Sequence, residues 1–331
     1  MNEAIILNST STYLHLGSYL TMVGLKKLLT SININVVFEH EVNNYNFSEV
    51  LKFYNDNDKP LIIINGEGTF HDDQVFATSI LDFLDKNKIE FMILNSQFRN
   101  MSKKYIQIAL KSKWIQVRTK KDYNYCKKIG INNLSYCPDM IFYSGIKASD
   151  HSNNNDIGVL FTDSHVQVAN KDIISNYLVE NNELKKTWIN IHFYETALMN
   201  AYIRFKILVY SLLHKKINFL SYKMKLSVLN NLKKTSLSST LFAFINSRII
   251  VTGRYHGACL SILLKKPLLY SYSNTSKIKD LCDDFNWGSE IKEKIDYSII
   301  ESEDLEKKHL DIIKNLAIHY NSLKEDLNKI L

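Results

Sequence analysis

The sequence is sparing with cysteine, has no long apolar run, and over one long tract lacks acidic residues altogether. Its four cysteines, Cys126, Cys137, Cys259 and Cys282, make no C-x-x-C pair and no zinc-like spacing. That argues against a secreted disulfide scaffold and a structural zinc site; the thiols read as reduced, and no metal is expected. No stretch of about 18 uninterrupted apolar residues is present, so no membrane-spanning helix is expected. The opening residues, MNEAIILNST, lack a basic segment followed by a long apolar one and do not read as a signal peptide. Together these absences predict a cytoplasmic chain.

The third absence says more. Residues 196–279 contain no Asp or Glu but fourteen Lys and Arg, in a chain whose formal net charge is +7. Such a field draws anions: phosphates, acidic sugars, nucleic acid or an anionic membrane surface. Inside the tract, residues 202–234 mix aromatic, aliphatic and basic side chains without a clean period. Two readings fit, an interfacial segment touching the inner face of an anionic membrane and a solvated basic face of a domain helix. No nucleic-acid-binding motif accompanies the charge, so nucleic acid is not an expected partner. Oligomeric state is not legible.

What is present is the grammar of an α/β protein. At 331 residues and 45% hydrophobic, the chain has material for two cores. Short apolar runs alternate with helical patterns, the signature of parallel sheets with crossover helices. AIILN (4–8), NVVFE (35–39), LIIIN (61–65), EFMILN (90–95) and WIQVR (114–118) read as strands of a first domain, residues 1–145, closed by YCPDMIF (136–142). A polar linker, GIKASDHSNNND (145–156), separates it from a second set, IGVLF, WINIHF, INFLSY, RIIVTG and PLLYSYS, in residues 156–302. The tail, 303–331, is an amphipathic helix pattern suited to lie across one domain. The expected fold is therefore α/β, two doubly wound Rossmann-like domains facing a cleft. Ligands in such folds bind beyond the carboxyl ends of strands.

Five strand ends carry chemistry. After the first strand, STSTYLHLG offers hydroxyls, Ser11 among them, and Gly17 near a helix start; an N-capping loop would look the same. After the third, NGEGTFHDD places Asn65, Gly66, Glu67, Gly68, Thr69 and His71 in a turn whose backbone could face a ligand. Its spacing is neither a P-loop nor G-x-G-x-x-G. Glu67 is a candidate general base and His71 a candidate proton carrier, while the bland alternative is a loop carboxylate and helix-start charges. Arg118 ends the fifth strand, positioned either to bind an anion or to pair with Asp122 or Asp139. In the second domain, VTGRYHG sets Arg254, Tyr255 and His256 at the start of a helix, where the dipole favours anions and arginine can grip phosphate or carboxylate by two bonds. Ser273, Asn274, Thr275 and Lys277 follow the next strand as a second rim.

NGEGT, then VRTKKDYNYCKKIGI with PDMIF, then TGRYHGACLSILLKKPLLYSYSNTSKI, in that order, resemble the polysaccharide pyruvyl transferase family. The resemblance implies a GT-B type fold and transfer of pyruvate from phosphoenolpyruvate onto two hydroxyls of a sugar in bacterial surface polysaccharides such as capsule or lipopolysaccharide. It implies no metal and no cofactor beyond the donor substrate. A glycan or lipid-linked glycan would be the acceptor. By the same resemblance, Arg254 would bind the donor's anionic groups, and His256 would bind its phosphate and supply a proton. Where many relatives carry three glycines in the first-domain turn, this chain has Glu67 in the middle. The alternative expectation is a GT-B glycosyltransferase using a nucleotide-activated sugar donor, acidic sugars included.

Overall fold

The computed structural model describes residues 2–12, 15–147, 157–164, 169, 173, 186–189, 237–273, 275–291 and 304–331. The expected strand INFLSY, the basic segment 202–234 and most of the expected linker lie outside the described residues. Contacts divide the chain into two compact units. The first comprises Met1–Tyr13, Ser18–Gly145 and Leu310–Leu331; the second comprises Leu14–Gly17 and Ile146–His309.

The first unit is built on β1 (Asn2–Ser9), β2 (Ile34–Glu41), β3 (Leu61–Asn65), β4 (Phe91–Ser96), β5 (Trp114–Val117) and β6 (Leu134–Tyr136). Neighbours run parallel in the order β2-β1-β3-β4-β5-β6. Continuous apolar runs such as AIIL and LIII suit strands covered on both faces, and Ile5, Ile6, Leu7, Ile62, Ile63 and Ile64 are all fully buried. The crossovers are α1 (Leu16–Ser31), α2 (Ser48–Asp56), α3 (Val75–Asn87), α4 (Lys103–Ala109) and α5 (Lys120–Lys128). YCPDMIF does not continue as a strand. Asp139 accepts a bond from the Ile141 amide and caps a 3-10 turn, Met140–Tyr143.

In the second unit β7 (Ile157–Ser164), β8 (Lys186–Ile189), β9 (Ser247–Gly253), β10 (Leu268–Tyr270) and β11 (Ser289–Glu290) form a parallel sheet in the order β11-β10-β9-β7-β8. Its described helices are α6 (Leu237–Asn246), α7 (Tyr255–Leu263) and α8 (Lys277–Phe285). Helix α7 is buried at every position. The tail forms α9 (Leu305–Ile330), which buries Ile312, Leu316, Tyr320, Leu323 and Leu327, as its apolar periodicity predicts. The Tyr320 hydroxyl donates to the Pro138 and Asp139 carbonyls at 3.2 and 2.6 Å, tying the helix to the first unit.

The two sheets share one winding. Among the described strands, β1 pairs with β2 on one side and β3 on the other, and β7 pairs with β8 on one side and β9 on the other, so the order reverses between β1 and β3, and again between β7 and β9. These are the switch points where loops leave in opposite directions and open sheets bind ligands. The turns NGEGT and VTGRYHG follow β3 and β9, so each falls at its own sheet's switch point. No described helix is long and apolar enough to cross a membrane. All four cysteines are free and buried.

Candidate functional site

At the first switch point three neighbouring strands carry asparagine at or next to their last residue. Asn8 Nδ2 donates to the Asn65 carbonyl at 2.6 Å, Asn65 Nδ2 returns a bond to the Asn8 carbonyl at 3.2 Å, and Asn95 Nδ2 reaches Asn65 Oδ1 at 3.5 Å. Asn8 and Asn95 adopt φ of 60° and 59°, a left-handed conformation that asparagine tolerates better than most residues. These amides supply bonds where the ladders end and also hold the next turn, since the Glu67 amide donates to Asn65 Oδ1 at 3.3 Å. Asn8 and Asn95 were not among the residues singled out from sequence. The signal was present: AIILN, LIIIN and EFMILN share one terminal residue.

Glu67 is oriented by hydroxyls, with Ser18 Oγ donating to one carboxylate oxygen at 2.7 Å and Thr10 Oγ1 to the other at 3.1 Å. Gly66 and Gly68 flank it, the latter at φ 67°. Thr69 Oγ1 is buried with no hydrogen-bond partner among the described residues. His71 is buried and places Nδ1 2.8 Å from Asp72 Oδ2; that bond first, then one from Asn100, holds the Asp72 carboxyl below its usual value. The structure thus brings Asn65, Gly66, Glu67, Gly68, Thr69 and His71 into one loop, but leaves three predicted residues elsewhere.

Ser11 donates its hydroxyl to Glu39 at 2.5 Å, beside Ser9 at 2.6 Å and Lys26 at 2.8 Å. Burial alone would raise the Glu39 carboxyl; the bonds from Lys26, Ser11 and Ser9, with the Lys26 charge, lower it. Ser11 is thus engaged in bracing the β1 loop to β2. Arg118, 3% exposed, donates to Asp139 at 2.7 Å, and the other oxygen of Asp139 accepts from Thr21 and from the Ile141 amide. Arg118 thus meets Asp139, one of the two carboxylates foreseen as its partner. Gly17 belongs to the second unit, because a Cβ there would lie 2.1 Å from Cβ and Cγ of His256. The N-terminal segment passes too close to that imidazole to carry any side chain.

The second switch point carries the cations. Gly253 lets β9 end against Ser164, whose Cβ would be 2.2 Å from an added Cβ. Arg254 is the N-cap of α7, its amide bonded to Thr252 Oγ1 at 3.0 Å, and His256 lies in the first helical turn; they are 7% and 8% exposed. Tyr255 is buried beside His256, with ring centroids 5.4 Å apart. The tract around Arg254 has no acid in sequence, but one meets it in space. Asp163, at the end of β7 and outside the acid-free tract, receives the Arg254 Nε at 3.0 Å and also Nη2. Lys265 likewise meets Glu306, and Lys279 meets Asp283. Parallel sheets join residues distant in sequence, so a tract without acids is not a volume without them. Asp163 was missed, although its strand-end place satisfied the rule used for Arg254.

Asp163 Oδ1 is buried and accepts no hydrogen bond from any described residue. Ser164 Oγ donates to the Tyr272 carbonyl at 3.3 Å, joining the ends of β7 and β10. Ser273 and Thr275 follow β10 half-buried, and Lys277 opens α8 with its amide 3.4 Å from Thr275 Oγ1. Asn274 lies outside the described residues. The turn after β9 therefore offers a buried guanidinium, an imidazole and a helix N-terminus to an anion.

Two parallel switch-point sheets define a two-domain α/β fold of the GT-B type. Solved structures of similar fold include UDP-GlcNAc 2-epimerase of Methanocaldococcus jannaschii with UDP-GlcNAc and UDP, at TM-score 0.56 and 12% identity over 97% of this chain and 93% of that one. MnaA of S. aureus with UDP is another, at TM-score 0.58 and 10% identity over 100% and 91%. At such identities the likeness is one of fold. No curated protein matches the sequence. The family described as polysaccharide pyruvyl transferase matches residues 15–275, and the chain belongs to that family.

Proposed function

We propose that this transferase moves pyruvate from phosphoenolpyruvate onto two hydroxyls of a sugar in a bacterial surface-polysaccharide precursor, forming a ketal. The observation that carries the reading is the buried turn after β9, with Arg254 and His256 at the start of a fully buried helix. The donor bears a phosphate and a carboxylate. Arg254, the α7 N-terminus and Lys277 supply positive charge for both, and burial strengthens each attraction. Ser273, Asn274 and Thr275 would complete the rim.

Transfer begins with a proton to C3 of the enol, which makes C2 electrophilic. His256 is assigned that proton, and Tyr255 packs against it. A sugar hydroxyl then attacks C2 as its proton is withdrawn, a task assigned to Glu67, whose carboxylate is already oriented by Thr10 and Ser18. Gly66, Gly68, Thr69 and His71 would frame the acceptor. No metal or cofactor enters these steps. The acceptor is read as a free or lipid-linked glycan.

The test is phosphate release from phosphoenolpyruvate by the full chain, with and without pools of free and lipid-linked oligosaccharides. Acceptor-dependent release is expected. Acceptor-dependent nucleotide release from nucleotide-sugars, with phosphoenolpyruvate inert, would replace this reading with the glycosyltransferase one.

A further inference from the structure

The donor reaction needs two protons delivered to the donor, and the steps above account for one. When phosphoenolpyruvate and a diol become a ketal and inorganic phosphate, both hydroxyl protons leave the sugar. One ends on C3, the other on the phosphate as the C2–O bond breaks and its electron pair stays with that oxygen. A single imidazole giving its proton to C3 is then in the wrong state to protonate the leaving group.

A second imidazole stands beside the first. His15 lies in the N-terminal segment that belongs to the second unit, its ring centroid 5.3 Å from that of His256 and the planes 63° apart. His15 is 5% exposed and His256 8%, so the pair is sheltered from proton exchange with bulk water. Two residues on, the missing side chain of Gly17 is what lets this segment close over His256, for any Cβ there would overlap the ring. Each ring has a nitrogen that can carry a proton, so the pair can supply one proton to each of the two positions on the donor.

We infer that His15 is a catalytic residue of the donor site, binding the phosphate of phosphoenolpyruvate and giving it a proton as the C2–O bond breaks. The second sugar hydroxyl, attacking C2 to close the ketal, returns a proton to His15. The proton that Glu67 took from the first hydroxyl is returned to His256 through solvent between turnovers, so each turnover leaves one proton each on C3 and phosphate and restores Glu67 and both histidines. The inference rests on the proposed donor.

Imidazole proton–nitrogen spectra of the full-length protein, titrated with phosphoenolpyruvate, test it, with the ring signals assigned by His15→Gln and His256→Gln. Both rings should shift with the same dissociation constant, and His15→Gln should weaken phosphoenolpyruvate binding about tenfold by calorimetry, about 1.4 kcal/mol. A shift of His256 alone, with His15→Gln binding like the wild type, would overturn the inference and leave the donor assignment standing. Failure of phosphoenolpyruvate to bind the wild-type protein would overturn both. Should His15→Gln not fold, the wild-type spectrum assigned through His256→Gln decides, because a His15 ring touching the donor cannot stay silent.

Discussion

Arg118 and Arg254 occupy the same local setting but meet carboxylates that are engaged differently. Each leaves a parallel strand and precedes a helix, each is almost wholly buried, and each meets a carboxylate. The difference lies with the partner. Asp139 is saturated, with one oxygen on Arg118 and the other on Thr21 and the Ile141 amide. Asp163 spends one oxygen on two nitrogens of Arg254 and leaves the other buried without a hydrogen bond among the described residues. A buried carboxylate engaged through both oxygens holds its partners firmly, whereas one with an unengaged oxygen still lacks a hydrogen-bond donor.

Replacing each arginine breaks the comparison most directly. Arg254→Ala is expected to cut acceptor-dependent phosphate release by about 100- to 1,000-fold, the scale of losing one charge-stabilising donor. Full activity in that variant would remove the turn from the donor site. Arg118→Ala leaves Asp139 buried without its ion partner, and a loss of about 3–5 kcal/mol is expected in the denaturant midpoint. A variant as stable as the wild type would mean that the pair does not brace the first unit.

Asp163→Asn sharpens the contrast. Without the carboxylate competing for Arg254, added inorganic phosphate should raise the melting temperature of the variant more than that of the wild type. Equal shifts would show that Asp163 does not oppose an anion there. Gly253→Ala forces β9 away from Ser164 and should cost about 1–3 kcal/mol, as overpacking does. The smallest effect belongs to Glu39. Its folded-state carboxyl lies below the ordinary value of 4.5, so the stability it adds is present above that pH and is lost as pH falls through the lowered value. Stability measured against pH should lose that component in Glu39→Gln, and an unchanged acid limb would contradict it.

Much of the fold was legible because parallel strands buried on both faces read as apolar runs, and AIILN, LIIIN and RIIVTG needed no long-range information. The tail helix was legible from its apolar stripe, which reappears as buried Ile312 to Leu327. YCPDMIF was less so, because Asp139 caps a tight turn that periodicity does not reveal. Within the candidate site, the turn chemistry of Arg254 and His256 could be read from glycines and a helix start. The roles of Ser11 and Arg118 could not, since hydroxyls and guanidinium groups serve ligands and carboxylates alike, and only position decides.

The sequence by itself determined the alternation of strands and helices, the place of the two turns at strand ends, and the family, because each depends on residues near one another in the chain. Tertiary structure alone decided which charges meet. It set Asp163 against Arg254 across two neighbouring strands and brought His15 and Gly17 onto His256 across 241 and 239 residues of chain. Charge and proton transfer act over a few ångströms of space, and the winding of the sheets determines which distant residues come within that range.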